Sequence, residues 1–312
     1  MAKKQRYRVK NWAQYNKSLV RRGSLTVWFD EKSITSWHEV LATGKRGRPA
    51  EYADIAIQCV LLLKGVFGLP LRALQGFVES LVELLKLTIR TPNYTTICRR
   101  QKTLSIMLER HTRGKSLHVV IDSTGLKVFG EGEWKVRQHS YSKRRTWRKL
   151  HLGIDENTGE IVAVTLSTND VADSEVLPDL LAHIDETIEQ VSADGAYDSF
   201  EGHAAIAKRE ARAAIPPREN ARIRQHGNSQ APPLPRDEIL RSIRQLGRRG
   251  WKKASGYHRR SLAETAMYRF KQLLGDDLSA RLFDNQCTEA FIKCNAMNRM
   301  TSLGMPRSYA VA

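Results

Sequence analysis

Residues Leu117–Asp122 read LHVVID, a short apolar run that ends in an acid. Working outward, TWRKLHLGID (Thr146–Asp155) and EIVAVTLS (Glu160–Ser167) flank Glu156-Asn157-Thr158-Gly159, which has the chemistry of a hairpin loop. Ser174 to Ile188 reads as a helix with Val176, Leu177, Leu180, Leu181 and Ile184 on one side. QVSAD (Gln190–Asp194) is a second strand ending in an acid, SFEGHAAIAKRE a helix, and ARAAIPP a strand stopped by Pro216 and Pro217. Next, NARIRQHGNSQAPPLPRDE reads as a loop or insertion. Strand, hairpin pair, helix, strand, helix, strand, basic insertion, helix: this order predicts an α/β fold, a mixed sheet with helices packed on it.

Each strand-end acid has an ordinary explanation. Asp122 precedes Ser-Thr-Gly and Asp194 precedes a glycine, both good turn sequences. Together they say more. If the two strands are parallel neighbours, both carboxylates fall at one edge of the sheet, where such sheets bind ligands. Carboxylates held close repel unless a cation lies between them. Oxygen-only ligation suits Mg²⁺ or Mn²⁺ and not zinc. Two such ions could activate an attacking hydroxyl and stabilise the leaving oxygen of a phosphodiester. Glu264 is the acid best placed to complete the set.

That glutamate lies in YHRRSLAETAMYRFK, Tyr257–Lys271. Read as one long helix, Tyr257 and Lys271 lie within about 20° of Glu264 and Arg260 within about 40°. Leu262, Ala266, Phe270 and Leu273 would form the buried side. The plain reading is a solvated amphipathic helix with Arg260–Glu264 as an i,i+4 pair.

The region before Leu117 is different. Residues 1–25 carry eight Lys or Arg and no acid, interleaved with Tyr7, Trp12 and Tyr15, and read as a basic arm. From Pro49 to about Leu108 the periodicity is helical, interrupted at Gly68 and Pro70 and again at Thr91-Pro92-Asn93. The last helix, YTTICRRQKTLSIML, bears Arg99, Arg100 and Lys102. Short helices joined by tight breaks, the last one basic, fit a helix-turn-helix-like region; a plain helical bundle fits as well.

The whole chain, 312 residues, is long enough for two domains or more and carries a formal charge of +18, which makes a polyanion the first partner to consider. Between Lys208 and Arg260 there are 15 Lys or Arg against 4 Asp or Glu. No apolar run approaches a membrane span, and MAKKQRYRVK has no secretory-signal character. Cys59, Cys98, Cys287 and Cys294 form no C-x-x-C pair and no zinc spacing, as expected of reduced thiols in a cytoplasmic protein.

Tyr257, Arg260, Glu264 and Lys271 match the signature Y-x2-R-x3-E-x6-K at all four positions. The chain thereby resembles the DDE transposases of bacterial insertion sequences, most of all family five. DSTGLK around Asp122 and ADGAYDS around Asp194 look like the family's other acidic motifs, in the right order. PNYTTICRR and QHSYSKRRTWRKLHLG extend the similarity over roughly the whole chain. The resemblance implies a ribonuclease-H-like core at 114–312 with an Arg-rich insertion at about 218–256, preceded by a DNA-end-binding region at 1–113. It implies Asp122, Asp194 and Glu264 as catalytic residues and ligands of two Mg²⁺ (or Mn²⁺) ions. It implies cleavage at the element's terminal inverted repeats and joining of the 3′-hydroxyls to target DNA. The expected DNA contacts are Tyr257, Arg260, Lys271, Arg99, Arg100 and Lys102. The expected assembly is a homodimer in the synaptic complex, associated with the bacterial nucleoid. A non-catalytic helix-turn-helix regulator and a nuclease without strand transfer are the alternatives. The intact acidic trio separates the first of these from a transposase, and a strand-transfer assay separates the second.

Overall fold

The computed structural model describes residues 6–38, 50–111, 116–128, 147–225 and 230–311. Pro49, the first five residues of the basic arm and the QHSYSKRRT part of the quoted segment lie outside them. The chain forms two compact units, one of Met1–Glu109 with Phe291–Ala312, the other of Arg110–Ala290. The C-terminal segment, read from sequence as part of the catalytic region, thus groups with the N-terminal helices.

In the first unit the basic arm is structured. Strand β1 (Arg6–Val9) pairs antiparallel with β8 (Ser308–Val311), the last strand of the chain, and helices α1 (Trp12–Arg21), α2 (Leu25–Trp28) and α3 (Glu31–Thr35) follow β1. Asn11 closes the corner: its amide donates to Met305 O (3.0 Å) and its carbonyl accepts from Arg307 N (2.7 Å). Helix α4 (Asp54–Phe67) buries Ala56, Ile57, Cys59 and Val60–Leu63. It ends at Gly68, which takes the left-handed φ of 66° that favours glycine. Pro70 then opens α5 (Leu71–Leu84), bent 111° from α4. The tight turn is therefore between α4 and α5, and a nine-residue connection precedes the basic helix α6 (Tyr94–Gln101). Helix α6 is shorter than the sequence pattern suggests, with Lys102 as its C-cap. Among the described residues no single helix is long and apolar enough to cross a membrane; the α4–α5 pair passes by length and composition only.

The second unit is built on a six-stranded mixed sheet, order β4-β3-β2-β5-β6 with β7 also on β2. Strands β2 (Leu117–Val128), β3 (Trp147–Asp155) and β4 (Ile161–Thr168) form an antiparallel meander. Strands β5 (Ile188–Ser192) and β6 (Arg212–Ala214) run parallel to β2. The β2 edge that β5 leaves is met again by β7 (Asp277–Leu278) at Lys127 and Val128. Helices α7 (Asp173–Ala182) and α8 (Phe200–Lys208) cover one face; Leu177, Leu180, Leu181 and Ile206 pack there with Leu117, Val119 and Ile121.

The basic insertion is largely helical: α9 (Pro235–Ala254) starts with proline at its first turn, where a missing N–H costs nothing, and kinks at Gly247 (φ 70°). Gly256, left-handed at φ 67°, ends that helix. Tyr257–Arg260 then form one 3₁₀ turn ahead of α10 (Ser261–Leu274), so the stretch is not one long helix. Helix α10 buries Ala263, Ala266, Met267, Phe270 and Leu274 against β2 and β3. Leu262 and Leu273, expected in the core, are only half-buried. Helix α11 (Phe283–Leu303) closes the set.

Candidate functional site

The parallel β2–β5 ladder pairs Val119 with Val191 and Val120 with Ser192. Two more steps in that register put Asp122 beside Asp194, on neighbours about 4.8 Å apart. Strand β2 does not end at Asp122, as its sequence suggests, but runs to Val128 because β3 pairs with it throughout. Each aspartate holds a nearby backbone N–H: Ser123 N donates to Asp122 Oδ1 and Ala196 N to Asp194 Oδ1, both at 2.9 Å. Helix α10 packs on the face to which Asp122 points, and its first turn carries Glu264.

Arg260 links these acids. Its guanidinium pairs with Glu264 and lies 3.7 Å from Asp122 Oδ2. Burial raises the Asp122 pKa above the usual range; the Ser123 N–H and Arg260 pull it down, while Asp194 and Glu264 push it up. Burial also raises that of the Tyr257 phenol, which feels Arg260 and all three acids. Among the described residues no three carboxylate, imidazole or thiol side chains lie close enough to hold a metal ion as they stand. The donor set nevertheless fits a hard divalent cation: three carboxylates converge on one face of the sheet, and a guanidinium already takes the cationic place between two of them.

The Tyr257 turn is secured from both sides. Lys252 Nζ lies 5.1 Å from the Tyr257 ring centre and Trp251 packs beside it. Arg259 pairs with Glu156 of the β3–β4 hairpin, Glu156 with His118, and His118 Nε2 meets Ser192 Oγ at 2.8 Å. Gln190 Nε2 donates to Ser255 O at 2.9 Å. Lys271 lies two turns beyond Glu264, near Asp276. The Asp276 carboxyl is held below the usual range first by its hydrogen bond from Lys127, and Lys271 adds to the effect. The four signature residues therefore do not share one narrow stripe; Tyr257 and Arg260 approach the acids from the 3₁₀ turn, and Lys271 stands apart.

Arg99, Arg100 and Lys102 belong to the first unit. Arg99 is exposed, whereas Arg100 is engaged by Asp54 and by the Tyr52 carbonyl (2.8 Å). Arg99 and Arg100 line a 570 Å³ pocket with Tyr52, Asn93 and Thr96.

Sequence reasoning missed several supporting groups. Asp198, four residues after Asp194, is fully buried and takes a bidentate pair from Arg236 at 2.8 and 2.7 Å. His203 Nε2 lies 3.2 Å from it, and Arg218 N donates at 3.3 Å. Burial opposes ionisation of Asp198, but these partners outweigh it and hold its pKa far below the usual range. The signal was present: Tyr197 and Asp198 lie inside ADGAYDS, beside an acid already singled out.

A mixed sheet in this order, with two helices on one face and an acid-bearing helix on the other, is a ribonuclease-H-like core of the kind that acts on nucleic-acid backbones. A family model described as a transposase DDE domain matches residues 113–299, more than half of the chain, and a second with the same description matches residues 20–131. The chain belongs to the DDE transposase family, of the family-five type. It is a DNA transposase, an enzyme that cleaves and transfers DNA strands, and its family works with divalent metal ions.

Proposed function

We propose that Asp122, Asp194 and Glu264 are the metal ligands and catalytic residues. The observation that carries this is the β2–β5 register, which sets Asp122 beside Asp194 under the helix that bears Glu264. Two Mg²⁺ or Mn²⁺ ions bound there would activate the attacking hydroxyl and neutralise the leaving oxygen. Arg260 holds Asp122 and Glu264 meanwhile, and exchanges those carboxylates for a DNA phosphate, which its planar fork also fits. Tyr257 packs on a sugar or base near the cut. Lys271 holds a phosphate further along the strand as a point charge.

The DNA substrates are the terminal inverted repeats of an insertion sequence and the target into which their 3′-hydroxyls are joined. Residues 1–113, with Arg99, Arg100 and Lys102, recognise the ends. Residues 114–312 carry the chemistry, and the Arg-rich insertion at 218–256 adds phosphate contacts. The working assembly is a homodimer on paired ends, in the bacterial cytoplasm at the nucleoid.

Incubating the protein with Mg²⁺ and a fragment bearing the element's ends, then mapping the cut strands, tests the reading. Asp122→Ala, Asp194→Ala and Glu264→Ala are each expected to abolish cleavage and strand transfer while end binding persists. Cleavage retained in any one variant removes that residue from the site. Cleavage without joining would leave a nuclease.

A further inference from the structure

Within the second unit, on the sheet face away from the three carboxylates, a buried chain of polar groups ties the two aspartate motifs together. Ser123, next to Asp122, donates through Oγ to Asp173 Oδ2 at 2.7 Å. Lys149 Nζ holds the other oxygen of that carboxylate at 3.0 Å. Tyr197, in the turn after Asp194, is fully buried; its hydroxyl bonds Ser123 and lies 3.1 Å from His151 Nδ1. His151 Nε2 reaches Ser167 Oγ at 2.8 Å.

One proton order satisfies every link. The Ser123 proton goes to Asp173, so the Tyr197 phenol must donate to Ser123. His151 Nδ1–H then donates to the phenol oxygen, and Nε2 accepts from Ser167. Burial lowers the His151 pKa to about 4, so the ring is neutral and has the single proton this order needs. The donors all point one way, toward a carboxylate that a lysine also holds.

The geometric consequence concerns the acids. The Ser123 N–H grips Asp122, and the Ala196 N–H, in the same 3₁₀ turn as Tyr197, grips Asp194. A hydrogen bond between the Ser123 and Tyr197 side chains therefore joins the two segments whose N–H groups aim the carboxylates. We infer that Tyr197 is a positioning residue: through Ser123 it fixes the separation of Asp122 and Asp194, and with it the affinity of the site for divalent ions. This rests on the reading of those aspartates as metal ligands. Tyr197 itself touches neither metal nor DNA.

The test is Mn²⁺ titration of the full-length protein without DNA, reading free Mn²⁺ by electron paramagnetic resonance. Tyr197→Phe keeps the ring and removes only the hydroxyl. It is expected to weaken Mn²⁺ binding roughly tenfold, as loss of an outer partner of a ligand does. The Mn²⁺ needed for half-maximal cleavage should rise in step, while the rate at saturating Mn²⁺ stays near that of the unaltered protein. Ser123→Ala removes the same bond from its other end and decides the matter if Tyr197→Phe does not fold. Asp194→Asn is the reference. Unchanged Mn²⁺ affinity in Tyr197→Phe alongside clear loss in Asp194→Asn overturns the inference and leaves the tyrosine a packing residue. Unchanged affinity in Asp194→Asn overturns the ligand assignment instead.

Discussion

Asp122 and Glu264 meet the same guanidinium from opposite kinds of scaffold. Asp122 sits mid-strand with 16% of its side chain exposed, gripped by a backbone N–H and flanked by paired strands. Glu264 stands on the first turn of a helix with 55% of its side chain exposed, and Arg260 is its one recorded partner among the described residues. The Asp122–Asp194 separation is thus set by ladder geometry and can vary little, whereas Glu264 can change rotamer at small cost. A site with two fixed ligands and one adjustable ligand can close on a cation after the fold is complete.

The comparison breaks most visibly under the fixed side. Arg236→Ala leaves the buried Asp198 carboxylate unpaired and is expected to cost about 3–5 kcal/mol, with the Asp194 loop loosened. Glu264→Gln is expected to change stability by no more than about 0.5 kcal/mol while ending cleavage. Thermal melts of both variants measure this; equal losses would erase the distinction.

A smaller effect follows from pH. Because the folded-state pKa of Asp198 is depressed, its contribution is complete above the unfolded value of about 4 and fades as pH falls through the folded value. The melting-temperature gap between the unaltered protein and Asp198→Asn should be level from neutral pH to about pH 5 and narrow below about pH 4. His151 acts separately: its pKa, lowered to about 4, makes the folded state bind fewer protons than the unfolded chain between that value and about 6.5. Acidification across that window should therefore destabilise the protein, and His151→Gln should flatten the slope.

The smallest change in stability belongs to the adjustable side. Arg260→Ala should cost only about 0.2–0.5 kcal/mol, the worth of an exposed i,i+4 pair. Without DNA it should bind Mn²⁺ more tightly, because the resident cation is gone; with DNA it should cleave slowly, and Arg260→Lys should not restore the rate. Normal cleavage in both variants would reduce Arg260 to a helix salt bridge.

Much of the fold was legible because burial period and turn chemistry agreed. The meander showed in two apolar runs around a loop that closes at Gly159 (φ 71°), with Thr158 Oγ1 donating to Asp155 Oδ2 at 2.7 Å. The end of β2 was not legible, since Asp-Ser-Thr-Gly has turn chemistry and only pairing with β3 keeps it extended. The 3₁₀ turn at Tyr257 was hidden because a helical wheel assumes one pitch, and the left-handed Gly256 resets it. Helix α9 was masked by the prolines and glycines around its start, although Pro235 is a fitting first residue. The acids of the site could be named from strand ends and a signature. Their supports could not, because Ser123, Tyr197, Asp198 and Arg236 acquire their roles only from neighbours remote in sequence.

The Asp198–Arg236 pair has a practical meaning for anyone redesigning this enzyme. The insertion looks like a detachable cassette, a basic stretch between a strand and a signature helix. It is not one, because its first helical turn supplies the counter-charge for a carboxylate inside the core. Trimming it, or grafting one from another protein, would strand that charge. A workable chimera must either bring an arginine to the same place or neutralise Asp198 in the same step, so exchange of the cassette is a two-site problem from the start.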